Sequence, residues 1–326
     1  SHRHLAIIWR IDGYDRLVPI DDRQNDGHSR LVREKVKNNI NRTEEGRYVV
    51  ALPFKDTPFQ LGDSKYTALR RFYALEKKFA SNPEFKKQYT AVSQKYIDLG
   101  HLSIATDNLP GFYLPHHGIL KEGRITKLRV VFDGFAKSST GISLNETLMI
   151  GPTVQDDLLA LILRFRMHNN VLTGDIEKMY RQFSVKEEDR KYQRILWRAT
   201  DGKITTYQLN RVIFGLSAAP CLATRCINQL ATDEAHAFPT ASTVLKRDLY
   251  LDDLITDTQT RKEAIQLRDE IIQLLQRDGI HIRQWASNDQ SLLEGLPEGT
   301  INLELQEDHT IKTLGEAWNS QNDTLE

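Results

Sequence analysis

The tetrapeptide Tyr250-Leu251-Asp252-Asp253 sets two carboxylates side by side between two runs, Val244 to Tyr250 and Leu254 to Asp257, that read as the arms of a hairpin. Adjacent carboxylates at a hairpin tip repel one another, and a fold normally keeps them there when a cation binds them. A third acid, Asp175, comes at the end of the apolar run Val171 to Ile176. A buried strand that ends on an acid is usually capping a helix or holding a ligand. The ordinary alternative for the pair is an exposed acidic turn, so the surrounding residues must decide.

Bulk charge does not decide it. Lys plus Arg and Asp plus Glu are 44 each, so the net charge is zero and any attraction for nucleic acid must be local. One segment is locally basic: between Pro115 and Thr140, Lys121, Arg124, Lys127, Arg129 and Lys137 face only Glu122 and Asp133, a balance of +3. The longest aliphatic run, Leu158 to Leu163, has six residues, against the ~20 that cross a bilayer. A membrane reading and a signal peptide are both excluded. Cys221 and Cys226 cannot build a disulfide framework, which favours a reducing compartment. The first methionine is Met149, so Ser1 reads as a cut end of a longer polypeptide. At 326 residues the chain predicts about two domains.

Periodicity gives the coarse organisation. Asp21 to Arg30 reads as a loop between the apolar start Leu5 to Trp9 and a charged, helix-like stretch, Leu31 to Ile40. Tyr48 to Leu52 is predicted as a strand stopped by Pro53. Leu69, Phe72, Leu75 and Phe79 share one helical face, and Phe85, Tyr89, Val92 and Tyr96 share another after a break at Asn82-Pro83. Gly111 to Leu114 and Leu128 to Phe132 are predicted strands, and Thr153 to Met167 a helix feeding Val171 to Ile176. Strands follow at Arg194 to Arg198 and Thr205 to Asn210. A turn at Gly215 opens a helix at Pro220, and a capping box, Thr260 to Glu263, starts a helix ending at Gly279. Strands interleaved with helices argue an α+β core with extra N-terminal helices.

In chain order these pieces resemble the reverse transcriptase of bel-Pao class long-terminal-repeat retrotransposons. The resemblance runs through Arg47 to Lys55 (RYVVALPFK), Tyr113 to His117 (YLPHH), Lys127 to Asp133 (KLRVVFD), Gly174 to Phe183 (GDIEKMYRQF) and Arg194 to Arg198 (RILWR). It continues through Phe214 to Pro220 (FGLSAAP), Tyr250 to Asp253 (YLDD), Trp285 to Asn288 (WASN) and Leu314 to Trp318 (LGEAW). Leu251 stands where that family commonly has valine.

The resemblance implies right-hand polymerase fingers and palm, with an antiparallel palm sheet backed by helices. Residues 1–47 would be a connector, 48–170 mainly fingers, and 171–326 mainly palm ending at the primer-grip hairpin. The activity implied is that of an RNA-directed DNA polymerase, using two Mg²⁺ ions about 3.5–4 Å apart, with Mn²⁺ as a substitute. Asp175 and Asp252 would bridge the ions, with Asp253 nearer the periphery and the Ile176 carbonyl completing the oxygen shell. Arg129, with Lys121 or Arg124, would grip the triphosphate, and Tyr180, Phe214 and Gly215 would line the nucleotide site. Template and primer would meet Ser217, Pro220, Tyr250, Leu314, Gly315 and Trp318. The implied partners are a primed RNA or DNA template, dNTPs, and thumb, ribonuclease H and integrase regions beyond Glu326, inside cytoplasmic particles.

Two rivals come with it. A catalytically silent, domesticated relic would use the fold only to bind nucleic acid or protein, and loss of an acid would favour it. An RNA-dependent RNA polymerase shares a related palm but typically lacks an aromatic such as Tyr180. His116 and His117 lack the partners of a zinc site and read as structural, as do Trp285, Ser287 and Asn288. Walker and Rossmann fingerprints are absent.

Overall fold

Short apolar runs and amphipathic stretches alternate along the chain, and the structure, a computed structural model, turns them into strands and helices accordingly. It describes residues 40–302 apart from 108, 122–126, 152–157 and 166. It also describes the paired strands Ile7–Trp9 and Arg16–Val18, and the strands Thr310–Thr313, Glu316–Asn319 and Thr324–Leu325.

Strands β1 (Ile40–Arg42) and β2 (Tyr48–Val50) pair antiparallel. Helix α1 (Lys65–Ser81) buries Ala68, Phe72, Leu75 and Phe79, one face at helical spacing. It stops at Asn82, whose side chain accepts from Phe85 N at 3.0 Å and opens α2 (Pro83–Asp98) with proline in its first turn. Phe85 and Tyr89 from α2 join that face and Leu196 in a separate cluster of buried side chains. This cluster carries the hairpin. After β3 (Leu102–Ile104), β4 (His116–Lys121) pairs antiparallel with β5 (Lys127–Phe132). His116 is buried beneath it, one ring nitrogen 2.9 Å from the Leu196 carbonyl and the other 2.5 Å from the Tyr89 hydroxyl. The carbonyl can only accept, so Nε2 donates and Nδ1 receives the Tyr89 proton. Burial pushes His116 down to about 4, so the ring is neutral and structural.

Helix α3 (Leu158–Arg164) precedes β6 (Asn170–Ile176), and β7 (Ser184–Val185) pairs parallel with β2. Strands β8 (Arg194–Arg198) and β9 (Ile204–Leu209) form an antiparallel sheet with β3. Next come α4 (Ala219–Asp233), α5 (Pro239–Arg247), β10 (Leu249–Tyr250), β11 (Asp253–Thr258), α6 (Arg261–Gln276) and β12 (Ile282–Ser287). The sheet that matters for function is antiparallel, in the order β10-β11-β6-β12. Leu222, Ile227, Leu245, Leu267 and Ile271 of α4, α5 and α6 share one core with Val171, Leu172, Leu254 and Ile255 of that sheet. The capping box at Thr260 and Glu263 forms as the spacing predicts. Trp285 is fully buried, and the Asn288 side chain bonds Val171 N and Asn169 O, so both brace the sheet.

Two expectations are corrected. Gly111 to Leu114 makes a single bridge, Tyr113 to Arg194, and no strand, because on its N-terminal side it meets the helical turn Lys191–Gln193, which offers no ladder partner; the hairpin begins at His116 instead. Val244 to Arg247 lies in α5, and only Leu249–Tyr250 is strand. Pro239 starts a helix there that buries Ala241, Val244 and Leu245, and so short an apolar run fits either periodicity. Of the helix-like stretch Leu31 to Ile40 only Ile40 is described, and it opens β1. The helix over Thr153 to Met167 is described only as Leu158–Arg164. Cys226 is buried and Cys221 partly so. Among the described residues no helix is long and apolar enough to cross a membrane.

Strand β2 is fastened to the helices by acids. Tyr48 donates its amide to Asp278 Oδ1 at 3.0 Å and its hydroxyl to Asp233 Oδ2 at 2.5 Å. Asp278 is fully buried, and burial pushes it up to about 7 against the opposing pull of Arg47, Arg42 and Arg211. Between its ordinary value of 3.8 and 7 the folded protein holds a proton that the unfolded chain releases, so stability falls as pH rises through that window. Asp175, also raised to about 7, adds a second contribution of the same sign. His101 and His116, each lowered to about 4 mainly by burial, act in the opposite sense over the same window, so chemical denaturation of Asp278→Asn in metal-free buffer should show a change of stability between pH 4 and 7 that is less negative than wild type's, by the contribution of this one group. An unchanged slope would remove Asp278 as a cause.

Candidate active site

The hairpin register brings the acids together. Asp253 pairs directly with Asp175 across β11 and β6, and Ile176 N donates to the Asp252 carbonyl at 2.7 Å. Tyr250 pairs with Asp253, so Leu251 and Asp252 form a two-residue turn, with Leu251 in the left-handed region at φ 55°. A side chain in that region costs roughly 1–2 kcal/mol. Such strain is kept where surrounding pairing enforces it.

The electrostatics follow from crowding. Burial, then Asp252, Asp253 and Glu177, pushes Asp175 up to about 7. Burial also raises Asp252, opposed by its own amide and by the charge of Arg129. Glu177 is shifted down by Lys178 and Arg283, against its own burial; Arg283 Nη2 lies 2.7 Å from it. Among the described residues no three His, Cys, Asp or Glu side chains are already gathered tightly enough to hold a metal ion. Asp175 is nonetheless raised by desolvation and like charge, and Asp252 by desolvation, the strain that a hard, oxygen-seeking divalent cation relieves. The side-chain donors gathered here are carboxylate oxygens, the ligand type a hard divalent cation takes.

Around the acids the walls come from three segments. Tyr180 lies in the short turn Met179–Gln182, is 5% exposed, and sets its ring edge-on to Phe214 at 4.5 Å. Burial and the charge of Asp252 both raise its hydroxyl, which places that ring beside the acids. Phe214 is 47% exposed. Gly215 follows at φ 104°, where a Cβ would overlap the Phe132 carbonyl oxygen. Gly215→Ala should therefore lower the melting temperature by about 5 °C or more, since backbone rather than a movable side chain is in the way. A melting temperature within 1 °C of wild type would show that the turn can shift.

Pro220 lies in the first turn of α4, and Ser217 just precedes that helix. Arg129 lies on β5 opposite Ile119, and its charge acts on Asp252 to oppose the rise that burial causes. Lys121 pairs with Lys127 at the hairpin end, where only the backbone is described. Arg124, Leu314 and Gly315 lie outside the described residues. Trp318 is on the strand Glu316–Asn319, which pairs antiparallel with Thr310–Thr313.

One residue escaped sequence reasoning. Asn145, 4% exposed, donates from Nδ2 to the Gly215 carbonyl at 2.8 Å and accepts at Oδ1 from Ser217 N at 2.9 Å. Its own amide donates to the Gly134 carbonyl at 3.0 Å. It sits in the single-turn helix Leu144–Thr147, opened by a capping box at Ser143 and Glu146. That box was the readable signal.

The model for the family described as reverse transcriptase (RNA-dependent DNA polymerase) matches residues 120–285, half of the chain, from the fingers hairpin through β12. This chain belongs to the reverse transcriptase family. Reverse transcriptases generally use divalent metal ions, in keeping with the donor set above. Two solved structures share the fold at low identity. The foamy viral protease-reverse transcriptase in complex with double-stranded DNA is 14% identical, with a TM-score of 0.50 over 72% of this chain and 34% of that one. A selenomethionine-labelled mutant of the prototype foamy virus protease-reverse transcriptase is 15% identical, with a TM-score of 0.55 over 92% of this chain and 32% of that one. The chain thus spans about a third of the length of the structures it matches. No curated protein matches it.

Proposed function

We propose that the chain is the RNA-directed DNA polymerase region of a bel-Pao class retrotransposon polyprotein, joining dNTPs to a primer 3′-hydroxyl on an RNA or DNA template. The observation that carries this is the register that sets Asp175 opposite Asp253, with Asp252 bonded through its carbonyl to Ile176. Residues 1–47 act as a connector, 48–170 mainly as fingers, and 171–326 mainly as palm. The bel-Pao assignment rests on the motifs RYVVALPFK, YLPHH, KLRVVFD and YLDD in that order.

Two Mg²⁺ ions, when bound, would lower the pKa of the primer hydroxyl and neutralise the triphosphate and leaving pyrophosphate. Asp175, Asp252 and Asp253 would hold the ions, Asp175 and Asp252 as carboxylates in spite of the burial that favours their protonated forms. Arg129, with Lys121 or Arg124, takes the triphosphate. Tyr180 and Phe214 wall the sugar, Gly215 lets the nucleotide approach the backbone, and Ser217 and Pro220 present a flat turn to the base pair. Tyr250, Leu314, Gly315 and Trp318 hold the primer end.

Primer extension on poly(rA)/oligo(dT), with and without Mg²⁺, tests the reading directly. Metal-dependent dTTP incorporation is the expected result. Absence of incorporation beside intact nucleic-acid binding would favour a silent relic of the same fold.

A further inference from the structure

The walls of the nucleotide site are not independent of one another. Phe214 is an exposed ring, and its edge-on contact is with Tyr180, 4.5 Å away. A half-exposed phenylalanine beside a glycine in the left-handed region has little of its own to fix it; the turn that bears it must do so. That turn is fixed from one side chain. The Gly215 carbonyl can only accept and the Ser217 amide can only donate, so the Asn145 amide has one possible orientation and brackets Leu216 from both sides. The Ser217 hydroxyl adds a bond to the Asn145 carbonyl at 3.4 Å. The same residue reaches the end of the fingers strand through Gly134, and the strand's last residue, Phe132, lies under Gly215. Asn145 thus joins the strand bearing Arg129 to the turn bearing Phe214.

We propose that Asn145 is a positioning residue that sets sugar discrimination, holding Phe214 against Tyr180 so that the Tyr180 ring keeps its place beside the acids. This rests on the polymerase reading above. Asn145 touches no substrate; it acts through the turn. Discrimination by steric clash needs the clashing group held to within fractions of an ångström, so a loosened Phe214 lets the Tyr180 ring yield to a 2′-hydroxyl. A residue that only stabilised the fold would lower the melting temperature and leave the ratio of ribonucleotide to deoxyribonucleotide use where it was.

The test is steady-state incorporation of dTTP and UTP by wild type, Asn145→Ala, Asn145→Asp, Phe214→Ala and the double variant Asn145→Ala/Phe214→Ala, with the exchange rate of the Ser217 amide measured alongside. Asn145→Asp keeps volume and the bond from Ser217 but loses the donor to Gly215, and so serves if the alanine variant does not fold. The expected result is a rise of about tenfold in the dTTP KM with a smaller change in kcat, and a loss of about tenfold in dTTP over UTP preference. The double variant should lose no more preference than Phe214→Ala alone, because both act on one contact. Faster Ser217 exchange is expected in Asn145→Ala, which alone among the single variants removes the acceptor. Unchanged preference in both Asn145 variants, or losses that multiply in the double variant, would overturn the inference. A wild type that incorporates neither nucleotide overturns the polymerase reading itself, and this proposal with it.

Discussion

Asp252→Asn abolishes primer extension, by about a thousandfold or more, while the metal-free protein keeps or gains melting temperature. The first half follows from the metal reading: losing an anionic ligand at nearly constant side-chain volume removes several kcal/mol of transition-state charge stabilisation, and each ~1.4 kcal/mol is a decade in rate. The second half follows from the electrostatics of the free protein. Burial raises Asp252, and Asp252 in turn helps raise Asp175 to about 7, so removing one charge relieves the other. Primer extension and thermal melting on the same preparation, each with and without Mg²⁺, check both. Wild type should gain stability from Mg²⁺ and the variant should gain much less. Extension at wild-type rate in the variant would remove Asp252 from the catalytic set.

The acids were legible in sequence because their chemistry is local: a doublet on a turn and a carboxylate ending an apolar run. Their meeting was expected only through the family resemblance, because Asp175 and Asp253 pair through a strand register that no local pattern prescribes. Amphipathic helices were equally readable, since Phe72, Leu75 and Phe79, or Leu267, Ile271 and Leu274, repeat at helical spacing and are buried where that spacing puts them. Short apolar runs were not. Val244 to Arg247 went to helix because Pro239 upstream, not the run itself, set the conformation. Asn145 stayed hidden for a third reason: its partners are backbone atoms about seventy residues away, and backbone partners leave no trace in residue type.

Tyr180→Val should admit ribonucleotides, with discrimination against UTP falling by about a hundredfold while dTTP use falls less. The ring lies where a steric gate would be useful, beside Asp252 and edge-on to Phe214. It is also 5% exposed and part of the main core cluster, so it has a packing role as well. The two roles make separable demands. Truncating a core ring to alanine costs about 3–5 kcal/mol, whereas valine fills part of the space and should cost less. Clash with a 2′-hydroxyl is removed by either. Tyr180→Ala should therefore match Tyr180→Val in sugar selectivity and fall below it in melting temperature, and Tyr180→Phe, which keeps the ring, should retain discrimination. Incorporation of dTTP and UTP by the three variants, set beside their melting curves, separates the roles. Loss of stability with selectivity unmoved in both truncations would leave Tyr180 as core alone and return the RNA polymerase reading to consideration.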